Sequence, residues 1–211
     1  TGTSVLGVCF SDGVVIAADS LASYGSMALF RSCERILKVN EQTVAGCGGD
    51  YSDFQYFSKL IEQKQIDEEA NRDGFNISPK ALHSWLTRVQ YNRRSKLDPL
   101  WTTWVVGGME NGRPYLGFVD KLGTSYEDSC IATGFGFYFA LPLMLKRLEE
   151  KPILTKEEAI DLIKEGLKVL WYRDCKALNS YHLAVVDTQG ATIEGPFRLE
   201  ANWYPIHIVH N

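Results

Sequence analysis

The chain has 211 residues, of which 45% are hydrophobic and 23% charged, the composition of one folded, soluble domain, which excludes a disordered or low-complexity chain. A formal net charge of −4, from 22 basic and 26 acidic side chains, argues against a surface built to neutralise phosphates, so no nucleic acid is expected as a partner. Cys9, Cys33, Cys47, Cys130 and Cys175 are odd in number, widely spaced and without a C-x-x-C pair. They suggest neither a disulfide framework nor a zinc site, and a reducing, cytosolic compartment fits best.

The first fifty residues read as strands and turns. Ser4 to Phe10 and Val14 to Ala18 are β-rich runs joined by Ser11-Asp12-Gly13, a predicted hairpin. Ile36 to Val39 and Thr43 to Cys47 flank Asn40-Glu41-Gln42 in the same way, ahead of the glycine cluster Gly46-Cys47-Gly48-Gly49. From Asp50 to about Ala70 the period changes: Phe54, Phe57, Leu60 and Ile61 recur at helical spacing. Ser78-Pro79 then opens a second amphipathic helix through Leu82, Trp85, Leu86 and Val89 to about Lys96. Strands resume at Thr102 to Val106 and Tyr115 to Val119 around Asn111-Gly112. A third helix is predicted after Gly136, and a fourth from Thr155, where Thr155 and Glu158 form a capping box. Tyr181 to Val186, Thr192 to Glu194 and an apolar tail from Trp203 to Val209 close the chain. Strands, two helices, strands, two helices and strands in segregated blocks predict antiparallel sheets with helices outside them, an α+β layered arrangement. The longest apolar run, Phe137 to Leu145, is too short to span a membrane and contains Pro142. Thr1-Gly2-Thr3-Ser4 has no basic region and reads as the start of a processed or trimmed chain rather than a signal peptide.

Few motifs carry chemistry. Gly46-x-Gly48 has Tyr51 where a dinucleotide fingerprint needs its third glycine, and no Walker lysine follows. The cluster therefore reads as a close strand-to-helix turn, or as a source of oxyanion-binding N–H groups. His83, His182, His207 and His210 make no metal motif, no G-x-S-x-G elbow is present, and Arg93, Arg94 and Lys96 read as a solvated helix end. No cofactor or metal is expected. Thr1 and Thr3 remain, on a predicted strand, with Asp19 at the end of its neighbour. An N-terminal threonine can act as a nucleophile with its own α-amine as base.

Three strings, Gly2-Thr3-Ser4-Val5-Leu6-Gly7, Gly13-Val14-Val15-Ile16-Ala17-Ala18-Asp19-Ser20 and Gly48-Gly49-Asp50-Tyr51-Ser52-Asp53, resemble successive blocks of 20S proteasome beta subunits. The resemblance covers essentially the whole chain. His83 to Arg88, Arg93 to Lys96, Pro99 to Trp101 and Ala132 to Gly136 further resemble one particular subunit type in that family. The resemblance implies a four-layer αββα N-terminal-nucleophile hydrolase sandwich with two antiparallel sheets, residues 1–211 forming one beta-subunit domain with a C-terminal interaction tail at about 197–211.

Catalytic members expose a threonine after a Gly-Thr cleavage and add an aspartate, a lysine, and a later serine, aspartate and serine. Gly2-Thr3 matches the cleavage junction, which places the nucleophile position at Thr3, and Asp19 matches the aspartate. The lysine position is Arg35, the first serine position is Phe135, the later aspartate is Asp174 and the second serine position is Ala177. A guanidinium stays protonated and cannot share a proton with the threonine hydroxyl, and neither Phe135 nor Ala177 can hydrogen-bond a terminal amine through its side chain. With Gly2 attached, the Thr3 nitrogen is an amide and no base. Thr1 and Thr3, two residues apart on a strand, would stand about 6.6 Å from each other, too far to serve one rigid site. Ala22, Cys33, Cys47 and Tyr51, at positions that line the family's specificity pocket, read as packing residues.

The resemblance thus implies a non-catalytic structural subunit of the 20S core particle, needed for beta-ring assembly and the joining of half-particles in ubiquitin-dependent protein degradation. Its implied partners are other beta subunits in the same and the opposite ring and alpha-ring subunits, in an obligate hetero-oligomer of cytoplasm and nucleus, with no membrane. The alternative is an active threonine endopeptidase using Thr1 or a processed Thr3 with Asp19 and Arg35. An independent homo-oligomeric peptidase is disfavoured, because its subunit would have to carry a complete site of its own.

Overall fold

The computed structural model describes residues 1–203. Six strands come first: β1 (Val5–Phe10), β2 (Gly13–Asp19), β3 (Ala22–Tyr24), β4 (Met27–Phe30), β5 (Ile36–Asn40) and β6 (Thr43–Gly49). Helices α1 (Tyr51–Ala70) and α2 (Pro79–Ser95) follow, then β7 (Thr102–Glu110), β8 (Arg113–Val119), β9 (Ser125–Glu127) and β10 (Cys130–Ala132). Three helices, α3 (Gly136–Phe139), α4 (Leu141–Glu150) and α5 (Lys156–Arg173), lead into β11 (Ser180–Asp187) and β12 (Gly190–Arg198). The strands form two antiparallel five-stranded sheets, β10-β1-β2-β11-β12 and β5-β6-β7-β8-β9, with β3 and β4 as a separate ribbon.

Strand β2 shows why the layers stack as they do. Its seven residues are all buried, so the strand must be covered on both faces. Val14, Ile16 and Ala18 point between the sheets, where they meet Val44, Val105 and Leu116 of the second sheet. Val15 and Ala17 face the other way, onto Met144 of α4 and Ile163 and Leu167 of α5. The second sheet repeats the pattern, with Ala45, Trp104 and Val106 covered by Phe57 and Ile61 of α1 and Leu82 and Leu86 of α2. Three hydrophobic layers between four layers of secondary structure make the predicted αββα sandwich.

Local signals hold at the helix starts. Asp50 accepts from the Ser52 and Asp53 amides at the head of α1, Ser78 caps α2 with Pro79 in its first turn, and Thr155 and Glu158 form the reciprocal capping box of α5. Elsewhere the structure differs from expectation. The third helix is two, α3 and α4, broken at Ala140 just before Pro142, which lacks an amide hydrogen. The short strands β3, β4, β9 and β10 carry no alternating pattern and were not expected. The strand-to-helix turn is narrower than the glycine cluster: Gly46, Gly48 and Gly49 lie in β6, and the chain passes into α1 across Asp50 alone. Strand β12 continues through Phe197 and Arg198, so the first two residues assigned to the C-terminal tail are strand. Trp203 packs edge-on against Trp171 and Tyr172 of α5; residues 204–211, which hold most of the expected tail with His207 and His210, lie outside the described residues.

Candidate functional site

Strand β1 begins at Val5, so Thr1 and Thr3 are not on it. The first three residues instead cross a cleft. Gly2 forms an antiparallel bridge with Gly49, its amide donating to the Gly49 carbonyl at 2.7 Å and its carbonyl accepting from the Gly49 amide at 3.1 Å. On the other side, the Ser23 amide donates to the Thr1 carbonyl at 2.9 Å, and the Thr1 nitrogen donates to the Ser23 carbonyl. Residues 1 and 2 thus make strand-like bonds to both walls. Gly49 adopts φ +101°, and a Cβ there would stand 2.2 Å from the Trp101 carbonyl oxygen, so β6 can turn into α1 here only with glycine. Its amide, one of the N–H groups read as a possible oxyanion donor, is taken by Gly2.

The two threonines part company. The Thr1 hydroxyl lies 3.2 Å from the Ser23 hydroxyl, whereas the Thr3 hydroxyl donates to Asp174 Oδ2 at 2.6 Å. Asp174 ends α5, is buried, and accepts the Lys176 amide on its other oxygen at 2.9 Å. Both oxygens of its carboxylate are therefore engaged.

Arg35 is 1% exposed and sits beneath Thr3. Its Nε donates to the Asp19 carbonyl at 3.1 Å, Nη1 to the Thr3 carbonyl at 3.1 Å and the Cys47 carbonyl at 2.9 Å, and Nη2 to the Ser4 carbonyl at 3.2 Å and to Asp19 Oδ1. A guanidinium has five N–H donors, and all five are used. Asp19 accepts the Leu178 amide on its second oxygen at 2.8 Å. Burial pushes the Asp19 carboxyl upward, while the Arg35 guanidinium and the Leu178 amide pull it down. Burial likewise pushes the Cys47 thiol up and the His182 imidazole down.

Phe135 and Ala177, the two positions expected to match the family's serines, stand apart from this cluster in chemistry. Phe135 precedes α3 with its ring 54% exposed, stacked on Phe139 at 6.1 Å between centroids. Ala177 packs against the core under α5, and its amide donates to the Asp174 carbonyl at 3.1 Å. The cleft above Thr3 encloses about 270 Å³ and is lined by Thr1, Gly2, Ser23, Gly49, Phe135 and Lys176 among others. Ala22, Cys33 and Cys47 are buried, and Tyr51 packs partly buried against the α1 layer. Three further residues organise the site that spacing did not single out. Ser4 caps α3 by accepting the Gly136 amide at 2.8 Å, Thr133 accepts the Val5 amide at 2.8 Å, and Ser23 holds Thr1. None of the three carried a local signal, since each acts on backbone that is distant in sequence. No group of His, Cys, Asp and Glu among the described residues could hold a metal ion.

Comparison with known proteins decides the family. The family described as "Proteasome subunit" matches residues 1–186. The chain belongs to the proteasome subunit family. It is 55% identical over 209 residues to the proteasome subunit beta type-4 of Xenopus laevis, an alignment that covers 99% of this chain and 86% of that protein. The beta type-4 subunit of Drosophila melanogaster is 45% identical over 204 residues, with 96% and 76% covered. The beta type-7 subunit of Saccharomyces cerevisiae is 35% identical over 209 residues, with 95% and 79% covered. The particular type marked by the strings at residues 83–88, 93–96, 99–101 and 132–136 is thus the proteasome beta type-4 subunit, which carries the name beta type-7 in yeast.

Proposed function

We propose that this proteasome subunit is a non-catalytic, structural member of the 20S core particle. One observation carries the reading: at the position of the family's lysine stands a guanidinium whose five donors are all committed, to four main-chain carbonyls and the Asp19 carboxylate. None of them reaches the Thr3 hydroxyl. Such a group binds the backbone and has no free base to offer. Thr3, Asp19, Arg35, Phe135, Asp174 and Ala177 are then the remains of an active site. The Thr3 nitrogen is acylated by Gly2, and Thr1-Gly2 use the main-chain groups of Ser23 and Gly49 that an extended peptide in the cleft would need.

Its work is assembly within a protein-degrading particle, ubiquitin-dependent and of cytoplasm and nucleus, as an obligate hetero-oligomer of beta neighbours in its own and the opposite ring and of alpha-ring subunits. The names of its relatives and its surface support this. Tyr24, Met27 and Phe30 of the β3–β4 ribbon and Phe135, Phe137 and Tyr138 around α3 are each about half exposed or more, an apolar cover that suits subunit contacts. The tail beyond Arg198 is assigned to contact with the opposite ring. No helix of the described residues is long and apolar enough to cross a membrane.

The bond from the Thr3 hydroxyl to Asp174 favours the other reading, an active endopeptidase on a processed Thr3, because a carboxylate can accept that proton. Replacing Thr3 by alanine in the assembled particle separates the two. Full particle yield with every peptidase activity unchanged is expected; loss of one activity class from intact particles would establish Thr3 as a nucleophile.

A further inference from the structure

The β3–β4 ribbon has little to hold it against the sandwich. Ala22 and Ser23 are buried, but every residue from Tyr24 to Ser32 is exposed, and a two-stranded hairpin on its own is marginally stable at best. Its base is fixed: the Cys33 amide donates to the Ser20 carbonyl at 2.9 Å, and the Ser20 hydroxyl donates to the Arg31 carbonyl at 2.9 Å. Outside residues 20–33, the hydrogen bonds of residues 22–30 end on Thr1 alone, among the described residues. They are the two main-chain bonds between Thr1 and Ser23 and the contacts of the Ser23 hydroxyl, 3.2 Å from both the Thr1 carbonyl oxygen and the Thr1 hydroxyl. Gly2 carries the connection on to β6 through its bridge with Gly49. The seat is shaped for this segment. A Cβ on Gly2 would stand 2.5 Å from Arg35 Cδ, and a Cβ on Gly48 would stand 2.6 Å from the Thr3 carbonyl oxygen. Residues 1–3 thus lie closer to the cleft floor than side chains at those two places would allow, with Gly2 directly over the stem of Arg35, whose five hydrogen bonds hold it in place.

We infer that Thr1–Gly2 is a structural strap, an inner strand that turns the β3–β4 ribbon from a free hairpin into an extension of the second sheet, and that the intact Gly2–Thr3 bond keeps it there. Hydrolysis of that bond adds water, leaving a carboxylate on Gly2 and an ammonium on Thr3. The dipeptide so freed has only a few hydrogen bonds to hold it and is lost by dilution once its tether is cut. The ribbon then keeps the bonds at its base and loses those along its side, and Tyr24, Met27 and Phe30, the exposed apolar residues it carries, lose their fixed position on the sandwich. The strap rests on the non-catalytic reading, in which Gly2 stays on Thr3.

Hydrogen exchange in the assembled particle tests the strap, comparing the natural chain with one begun at Thr3, with Gly2→Ala and with Thr1→Ala. The Ser23 and Gly49 amides donate to the Thr1 and Gly2 carbonyls. In the chain begun at Thr3 they should exchange roughly tenfold faster, the loss of one to two hydrogen bonds, and residues 24–30 should follow them. Gly2→Ala should give the same rise at natural chain length, and it carries the test alone if the shortened chain does not enter particles. Thr1→Ala keeps every main-chain bond and should stay within about twofold of the natural chain. The Cys33 and Cys47 amides, bonded to the Ser20 and Arg35 carbonyls, should be unchanged throughout. Natural protection of Ser23 and Gly49 in the chain begun at Thr3 or in Gly2→Ala, or a rise shared equally by Cys33 and Cys47, would overturn the inference. Acylation of Thr3 in particles of the natural chain is a separate result, which would sink the non-catalytic reading itself.

Discussion

A guanidinium offers its five N–H donors in one rigid plane, and at position 35 each meets an oxygen, so this side chain stitches Thr3 and Ser4 to the ends of β2 and β6. Lysine, with three donors on a flexible stem, leaves at least two of those oxygens buried without a partner. Arg35→Lys is expected to lower stability by about 2–4 kcal/mol and to create no peptidase activity; denaturant unfolding alongside a fluorogenic peptide assay checks both. Arg35→Ala, which also leaves the buried Asp19 carboxylate without its counter-ion, is expected to cost about 3–5 kcal/mol. Chemistry at single positions was legible in part. The family resemblance placed Thr3, Asp19, Arg35 and Asp174 in one site, and the structure has Asp174 on the Thr3 hydroxyl and Arg35 on the Thr3 carbonyl and Asp19. No spacing rule could show that Arg35 turns its donors to main-chain carbonyls rather than to the Thr3 hydroxyl, because those carbonyls belong to segments up to 32 residues away. Ser23 and Ser4 were illegible for the same reason: each acts on backbone that only the folded chain brings near.

At the scale of elements, period and capping residues carried most of the information. Strand β2 reads as a continuous apolar run because it is buried on both faces, and α1, α2 and α5 start at the residues whose side chains can cap them. What escaped were pieces of three or four residues, β3, β4, β9 and β10, too short to show a period and set by their partners in space. The glycine cluster reads as turn throughout because glycine weakens a strand unless something must come close, and here the first residues of the chain do, so that only its last glycine makes the strand-to-helix turn. Gly49→Ala puts a Cβ 2.2 Å from the Trp101 carbonyl oxygen at φ +101°, whereas Gly25→Ala, at φ +57°, meets nothing within 4 Å. The first substitution should cost about 2–4 kcal/mol and the second about 1 kcal/mol, compared by thermal unfolding of the two variants. Equal costs would mean that the strand end is not held where the structure has it.

For the whole molecule, the αββα stack explains how the fold can stand apart from any chemistry at Thr3. The three apolar layers are made by β2, β7, α1, α2 and α5, none of which depends on what Thr3, Phe135 or Ala177 can do. Arg35 ties the segments around Thr3 together, and the ribbon and the α3 surface leave large apolar side chains exposed, as the proposed subunit contacts require. Both features fit the proposed role, a subunit that shapes a chamber rather than cuts within it. The most direct measurement is labelling of the intact particle with a reagent that acylates N-terminal threonine nucleophiles, followed by mass analysis of each chain. This chain should remain unlabelled while catalytic neighbours in the same particle are modified, and a probe adduct on its Thr3 or Thr1 would contradict the account.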